Sequence, residues 1–328
     1  MSRANVVVLG GGTGTSVVLS ALKEHDINLT AIFVVSDSGG STGRLRDEFG
    51  FMPVGDARQC LAALAAGDAQ EDVRKVLLYR FGKGEGLEGH NLGNLILTAL
   101  EDIESSPAKA IETAANIFSV VGQVYPITEK TVDLVITYQD GTVKLGEHNL
   151  DDPSLGGKKI KKINLSPQAK IYTKAKQAIQ KADMIVLGPG DLYGSLLPNT
   201  VVRGFKQALK KRQGKFVYIV NLMTHYSQTH NMTAADHLNQ VNAYCGVKPD
   251  VVVMNTGQIS DKHLKTYAEQ KEFPVEDDLN SDASYQLIRQ DLVDTTHFKQ
   301  DPHDQVQRSV LRHDRNKLAQ LLLRILTD

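Results

Sequence analysis

Val6-Val7-Val8-Leu9-Gly10-Gly11-Gly12-Thr13-Gly14-Thr15 decides the fold, and a second stretch of the same kind follows it. Ala31-Ile32-Phe33-Val34-Val35 runs into Ser36-Asp37-Ser38-Gly39-Gly40-Ser41-Thr42-Gly43-Arg44. A continuous β-branched run, rather than an alternation, is what a parallel strand buried on both faces requires. Glycine just beyond such a strand lets backbone N–H groups come close to a phosphate, and the start of the next helix favours negative charge. Two such loops on neighbouring strands point to a nucleotide or phosphate crevice.

Outward from these loops, strand and helix patterns alternate, as in an α/β fold with a mostly parallel sheet. Strands are expected at 5–9, 30–35, 184–187, 216–220 and 251–254, and helices at 16–23, 56–66, 70–80, 91–103, 107–118, 168–181, 199–212, 233–244 and 314–327. The middle changes character. Val132, Leu134, Ile136 and Tyr138 alternate with less apolar residues, Asp140-Gly141 supplies a tight turn, and Val143 and Leu145 resume the alternation. That is a hairpin, and with the polar stretch 146–162 it forms an insertion at about 130–162 in a single domain spanning 1–328. Lys158-Lys159-Ile160-Lys161-Lys162 is the one concentrated basic patch, read as a solvated loop or as a contact to a phosphate or acidic partner.

Composition narrows the class. The 328 residues carry 37 Lys+Arg against 38 Asp+Glu, so no global field steers the chain to nucleic acid or to a membrane surface. No apolar stretch approaches the roughly 18 residues of a membrane span. Cys60 and Cys245 sit in helical segments without CxxC spacing and read as buried free thiols of a cytoplasmic protein.

Crevices in open α/β sheets form beyond the carboxyl ends of the strands, and the unusual residues recur there. The first loop departs from the dinucleotide fingerprint: Gly10 and Gly12 fit, but Thr15 holds the third glycine position and Gly14 comes one place early. It reads equally as a phosphate cradle, with Thr13, or as a tight connection. Asp37 stands where a ribose-binding carboxylate would, yet Gly39, Gly40 and Ser41 follow it, with Arg44 and Arg46 beyond, a set that suits a diphosphate. Asp56 starts a helix as an N-cap or a ligand. Asn91 and Asn94, in Gly89-His90-Asn91-Leu92-Gly93-Asn94, can read a base or sugar through paired donors and acceptors. Gly190 and Tyr193 lie in the third strand-end loop, Gly188-Pro189-Gly190-Asp191-Leu192-Tyr193-Gly194-Ser195. The sequence holds no HExxH and no GxSxG, and Asp37, Asp56 and Asp191 are the carboxylates placed to hold Mg²⁺ beside a diphosphate.

Together, Leu9 to Gly14, Asp37 to Arg46, Gly55-Asp56, His90 to Asn94, Gly188 to Tyr193 and Asp236-His237 resemble the YvcK-type gluconeogenesis factor family. That family is a branch of the group containing 2-phospho-L-lactate transferase (CofD). The resemblance implies a Rossmann-like three-layer α/β/α domain. It also implies a cytoplasmic protein that binds UDP-sugars such as UDP-N-acetylglucosamine and supports cell shape and growth on gluconeogenic carbon. A tyrosine and an arginine implicated there in UDP-sugar binding match Tyr267 and Arg312. Two places depart from the family's pattern: Ser38 stands where many relatives carry a second acid, and Met223-Thr224-His225 stands where they read Met-Thr-Gln.

Three functional expectations follow. In a non-catalytic UDP-sugar-binding regulator, Gly10, Gly12, Thr13, Asp37, Gly39, Gly40 and Ser41 would hold the diphosphate and ribose. Asn91, Asn94, Gly190, Tyr193, Tyr267 and Arg312 would then orient the uridine or sugar, and no cofactor is required. The alternative is a phosphotransferase of the 2-phospho-L-lactate type, with Mg²⁺ on Asp37 and Asp56. An NAD-like dinucleotide-binding oxidoreductase ranks third. A homo-oligomer and a protein partner are left open.

Overall fold

The computed structural model describes residues 3–280, 284–296 and 310–328. The predicted strand at 5–9 forms β1 (Ala4–Gly10), and its β-branched run is buried throughout. It pairs in parallel with β2 (Ile27–Phe33), and β2 with β3 (Gln123–Pro126). Three strands follow in a separate antiparallel sheet: β4 (Asp133–Tyr138), β5 (Val143–Leu145) and β6 (Ile160–Ser166), in the order β5-β4-β6. The chain then returns to the large sheet through β7 (Met184–Leu187), β8 (Lys215–Ile219), β9 (Val251–Asn255) and β10 (Gln286–Gln290).

All seven strands of the large sheet are parallel, in the order β10-β9-β8-β7-β1-β2-β3. The direction of travel reverses between β1 and β7. This is the switch point at which the connections leave on opposite faces and a crevice opens beyond the strand ends. Helices α1 (Gly12–Leu22), α2 (Gly40–Phe49), α3 (Gly55–Leu64), α4 (Gln70–Leu78), α5 (Leu92–Glu104) and α6 (Pro107–Ile117) belong to the first half of the chain. In the second half lie α7 (Thr173–Lys181), α8 (Leu197–Thr200), α9 (Phe205–Lys210), α10 (Ala234–Cys245), α11 (Asp261–Glu269) and α12 (Arg315–Thr327). Helices α1, α3 and α12 pack together over one face of the sheet, and α7 to α10 over the other. The result is the Rossmann-like three-layer α/β/α arrangement. No helix among the described residues is long and apolar enough to cross a membrane.

Several elements depart from the sequence expectation, each for a physical reason. The helix expected at 199–212 is broken: α8 ends at Thr200, and Gly204, at φ +100°, turns the chain into the start of α9. Glycine-rich Gly40 to Gly43, read as loop, is the first turn of α2. Gly43 fits there because a Cβ would lie 2.3 Å from the Ser38 carbonyl oxygen. The basic patch is not a loop either. Ile160, Ile163 and Leu165 of β6 turn inward while Lys161 and Lys162 face water, and Lys158 pairs with Asp140 at 2.7 Å. The hairpin forms as its pattern dictates, with Leu134, Ile136 and Tyr138 buried and Gly141 at φ +87° in the turn. Asp314 caps α12, accepting from the Lys317 N–H at 2.9 Å, and both cysteines are buried and free.

At the switch point the loops after β1 and β7 touch. A Cβ on Gly14 would sit 2.2 Å from the Pro189 carbonyl oxygen and 3.1 Å from the Gly190 nitrogen. Gly14→Ala is therefore expected to destabilise the protein by about 1–3 kcal/mol through overpacking, although alanine favours a helix interior. Chemical denaturation would read this, and an unchanged midpoint would mean the two loops are not in contact.

Candidate functional site

The switch point opens into a cavity of about 990 Å³. Four helices begin at its wall. Gly12 opens α1, Gly40 opens α2 after the N-cap Gly39, Gly55 opens α3, and Asn94 stands in the first turn of α5. None of the first three has a side-chain cap from its own N-cap residue. Their first-turn N–H groups and dipoles thus make one end of the cavity a receptor for anionic oxygens. Glycines recur because the walls come so close: a Cβ on Gly55 would lie 2.5 Å from Asp37 Oδ2, and one on Gly11 2.5 Å from Asp56 Oδ2.

Behind these helix starts lies a polar network. Ser41 Oγ accepts from the Asn91 N–H at 3.2 Å and from Asn94 Nδ2 at 3.4 Å, and it meets His90 Nδ1 at 3.2 Å. Asn94 also donates to Thr42 Oγ1 at 3.2 Å and accepts from Arg58 Nε at 2.8 Å. Burial, reinforced by Arg44 and Arg80, lowers the His90 pKa. A neutral His90 accepts the Ser41 proton, so both lone pairs of Ser41 receive N–H bonds. That hydroxyl ties the starts of α2 and α5 together.

Carboxylates crowd the same cavity. Asp56 Oδ1 accepts the Gly12 N–H at 2.7 Å, and Asp37 Oδ1 accepts the Gly39 N–H at 3.0 Å. Glu147 and Asp151 join them from the 3₁₀ turn Glu147–Asp151 of the inserted segment. Desolvation first, then Asp37, Asp151, Asp56 and Asp191, pushes the Glu147 carboxyl well above the ordinary glutamate range. Two ties hold this turn across the crevice. Ser38 Oγ meets His148 Nδ1 at 3.0 Å and accepts its N–H at 3.1 Å. On the other side, Ser227 Oγ donates to the Leu150 carbonyl, and the Gly157 N–H donates to the Tyr226 carbonyl at 3.1 Å.

The far wall comes from the loop after β8 and from the C-terminal region. Tyr267 is buried with Leu222, Met223, Val293 and Leu311, and its hydroxyl accepts the Leu311 N–H at 3.2 Å. Arg312 lines the cavity beside it. The chain thus brings ten candidate residues to the lining of one cavity: Gly12, Thr13, Asp37, Gly39, Gly40, Ser41, Asn94, Gly190, Tyr267 and Arg312. Gly10, Asn91 and Tyr193 stand behind it. The Gly10 carbonyl accepts from Val34 and Asn199, Asn91 caps α5 by accepting the Asn94 N–H at 3.1 Å, and Tyr193 is packed in the core. Sequence reasoning missed Glu147, Asp151, His225 and Glu272. They come from three separate segments, the 3₁₀ turn Glu147–Asp151, the loop after β8 and the segment after α11, and meet only through tertiary structure.

Residues 6–293 match the family model described as 2-phospho-L-lactate transferase CofD. The chain is 36% identical to the gluconeogenesis factor of Bacillus subtilis, covering 99% of both chains. It is 37% identical to the gluconeogenesis factor of Halalkalibacterium halodurans, covering 98% of this chain and 97% of that one. A crystal structure of a UPF0052-family protein from Bacillus halodurans superposes with a TM-score of 0.87 at 36% identity, over 98% of this chain and 99% of that chain.

The Glu147 environment carries a pH signature. In the unfolded chain this carboxyl ionises near its ordinary value of about 4.3, whereas the folded protein keeps the proton to higher pH. The native state therefore binds more protons, and stability is lost as pH rises through the folded-state pKa. Glu147→Gln should melt at a higher temperature than wild type at about pH 9, with the difference vanishing towards about pH 4. Thermal melts across that range test it, and a pH-independent difference would contradict it.

Proposed function

The chain belongs to the CofD family and, within it, to the gluconeogenesis factors, and from that premise we propose that it is a UDP-sugar-binding regulator that supports growth on gluconeogenic carbon and cell shape. The observation that carries this reading is the convergence of the starts of α1, α2 and α3 on the switch-point cavity, with Tyr267 and Arg312 on the facing wall. A diphosphate carries its negative charge in the middle of the ligand, and bundled helix N-termini are a low-cost way to receive it. Arg312 adds a guanidinium, which recognises phosphate oxygens or a uracil carbonyl through paired N–H donors. A cavity of about 990 Å³ is of the size that encloses a ligand of this class.

The family model and the crowd of carboxylates support a second reading, a phosphotransferase of the 2-phospho-L-lactate type. It would place Mg²⁺ on Asp37 and Asp56, whose oxygens are of the right chemical kind. Their arrangement does not fit that role by itself. Each commits one oxygen to a backbone N–H, and among the described residues no three acidic, histidine or cysteine side chains group to hold a metal ion.

Titration calorimetry with UDP-N-acetylglucosamine, with and without Mg²⁺, separates the two. Binding by wild type, weakened about tenfold or more in Arg312→Ala, with intact ligand recovered afterwards, is the result expected of a regulator. A cleaved or transferred product, or turnover of a nucleoside-diphosphate lactate donor, would establish the transferase instead. Absence of binding at millimolar ligand would overturn the UDP-sugar reading.

A further inference from the structure

Three side chains on the cavity wall take no part in receiving a diphosphate. Asp151 comes from the inserted 3₁₀ turn, His225 from the loop after β8, and Glu272 from the segment after α11. His225 Nε2 lies 3.5 Å from Asp151 Oδ1 and 3.8 Å from Glu272 Oε1. Resting on the UDP-sugar reading, we propose that Asp151, His225 and Glu272 form the subsite that reads the hydroxyl groups of the ligand's sugar.

The geometry supports this step by step. Ser227 donates its proton to the Leu150 carbonyl, so its oxygen can only accept from His225 Nδ1, 3.3 Å away. Nδ1 therefore carries a proton, and Nε2 is the atom turned towards the two carboxylates. Distances of 3.5 and 3.8 Å exceed a direct N–H···O bond. The three groups are held together without satisfying one another. Glu272 Oε1 accepts the Tyr226 N–H at 3.4 Å, while its second oxygen and the Asp151 carboxylate have no hydrogen-bond donor from the protein among the described residues. The Asp151 side chain is 57% exposed, reached through the open cavity, whereas that of Glu272 is only 13% exposed. Each sugar hydroxyl carries one proton, so one hydroxyl of the ring can donate to a carboxylate while its neighbour donates to His225 Nε2, completing both.

Charge excludes the other occupants. Two carboxylates repel a phosphate, and no three described acidic, histidine or cysteine side chains group to hold a metal ion. Desolvation is the largest influence raising the Asp151 and Glu272 carboxyls, and a neutral polyol adds no charge to such a place. Position agrees as well. Strands β1 and β8 are separated by β7 alone. The loop carrying His225 thus leaves the sheet two strand spacings, about 10 Å, from the end of β1, on the same carboxyl edge as the glycine loop. A site whose polar groups wait for ligand hydroxyls rejects an analogue lacking them far more strongly than an apolar pocket does.

The test compares UDP with UDP-N-acetylglucosamine and UDP-glucose by titration calorimetry on wild type, Asp151→Asn and Glu272→Gln. Both variants keep side-chain shape, and thermal melts check that both fold. The expected result is UDP-sugar affinity lowered about tenfold or more in each variant, from loss of a charge-assisted hydrogen bond, with UDP affinity within about twofold of wild type. Unchanged UDP-sugar affinity, or an equal loss for UDP and UDP-sugar, would overturn the inference. So would a wild type that binds UDP as tightly as the UDP-sugars, leaving nucleotide binding itself intact. A wild type that binds none of the three overturns the UDP-sugar reading underneath it.

Discussion

The contact between the loops after β1 and β7 is the constraint on which the rest depends. Where the sheet reverses direction, Gly14 lies against the Pro189 carbonyl so closely that no side chain fits. That approach sets the start of α1 beside the Pro189-Gly190-Asp191 turn and brings both loops to one cavity. It also explains why the first loop departs from the dinucleotide fingerprint. The glycine that comes one place early is needed for packing against a neighbouring loop, not for a pyrophosphate. The β-branched runs of β1 and β7 supply the rigid floor from which the two loops project.

Once the helix starts are fixed, electrostatics decides what the cavity can hold. Positive dipole ends gather at one side, but Asp56 and Asp37 already accept N–H bonds there. These carboxylates satisfy exposed donors at the helix starts. Burial first, and then the charges of Asp37, Asp151, Asp56 and Asp191, make Glu147 resist ionisation. The site is thus balanced between donors that attract an anion and acids that repel one. A ligand with a charged centre and neutral, hydroxyl-bearing ends suits such a balance better than a compact polyanion. On the proposed reading, Arg312 adds positive charge to the cavity lining in favour of such a ligand.

The large sheet was legible because its central strands are buried on both faces and therefore read as unbroken apolar runs. Its margins were not. β10, Gln286 to Gln290, lies at the sheet edge with three of its five residues polar, and β3 is four residues ending in proline. β6 was hidden behind lysines that face water while its isoleucines and leucine face inward. Helix α2 contradicts local preference, since Gly43 is required by a contact with Ser38 that only the folded chain contains. For the site, the strand-end glycines and Asp37 could be found from the pattern of strand followed by glycine. Tyr267 and Arg312 could not be paired by spacing, and came from family resemblance. Asn91 illustrates the limit of residue chemistry alone: its side chain oxygen is spent capping α5.

The inserted antiparallel sheet changes the meaning of the Rossmann-like core. Strand ends and glycine loops alone make a generic anion receptor, open on the side away from the sheet. The segment after β5 closes part of that opening and is tied at both shores, to Ser38 on one and to Tyr226 and Ser227 on the other. A Cβ on Gly156 would overlap the Tyr226 ring, so the second tie permits no side chain there. Because the segment contributes Glu147 and Asp151 while crossing the crevice, it joins elements that the sheet order keeps apart. If the cavity takes the proposed UDP-sugar, recognition of the ligand's outer part is separable from recognition of its phosphates: the core would receive the charge that many ligands share, and the insertion with its two anchoring loops would distinguish among them.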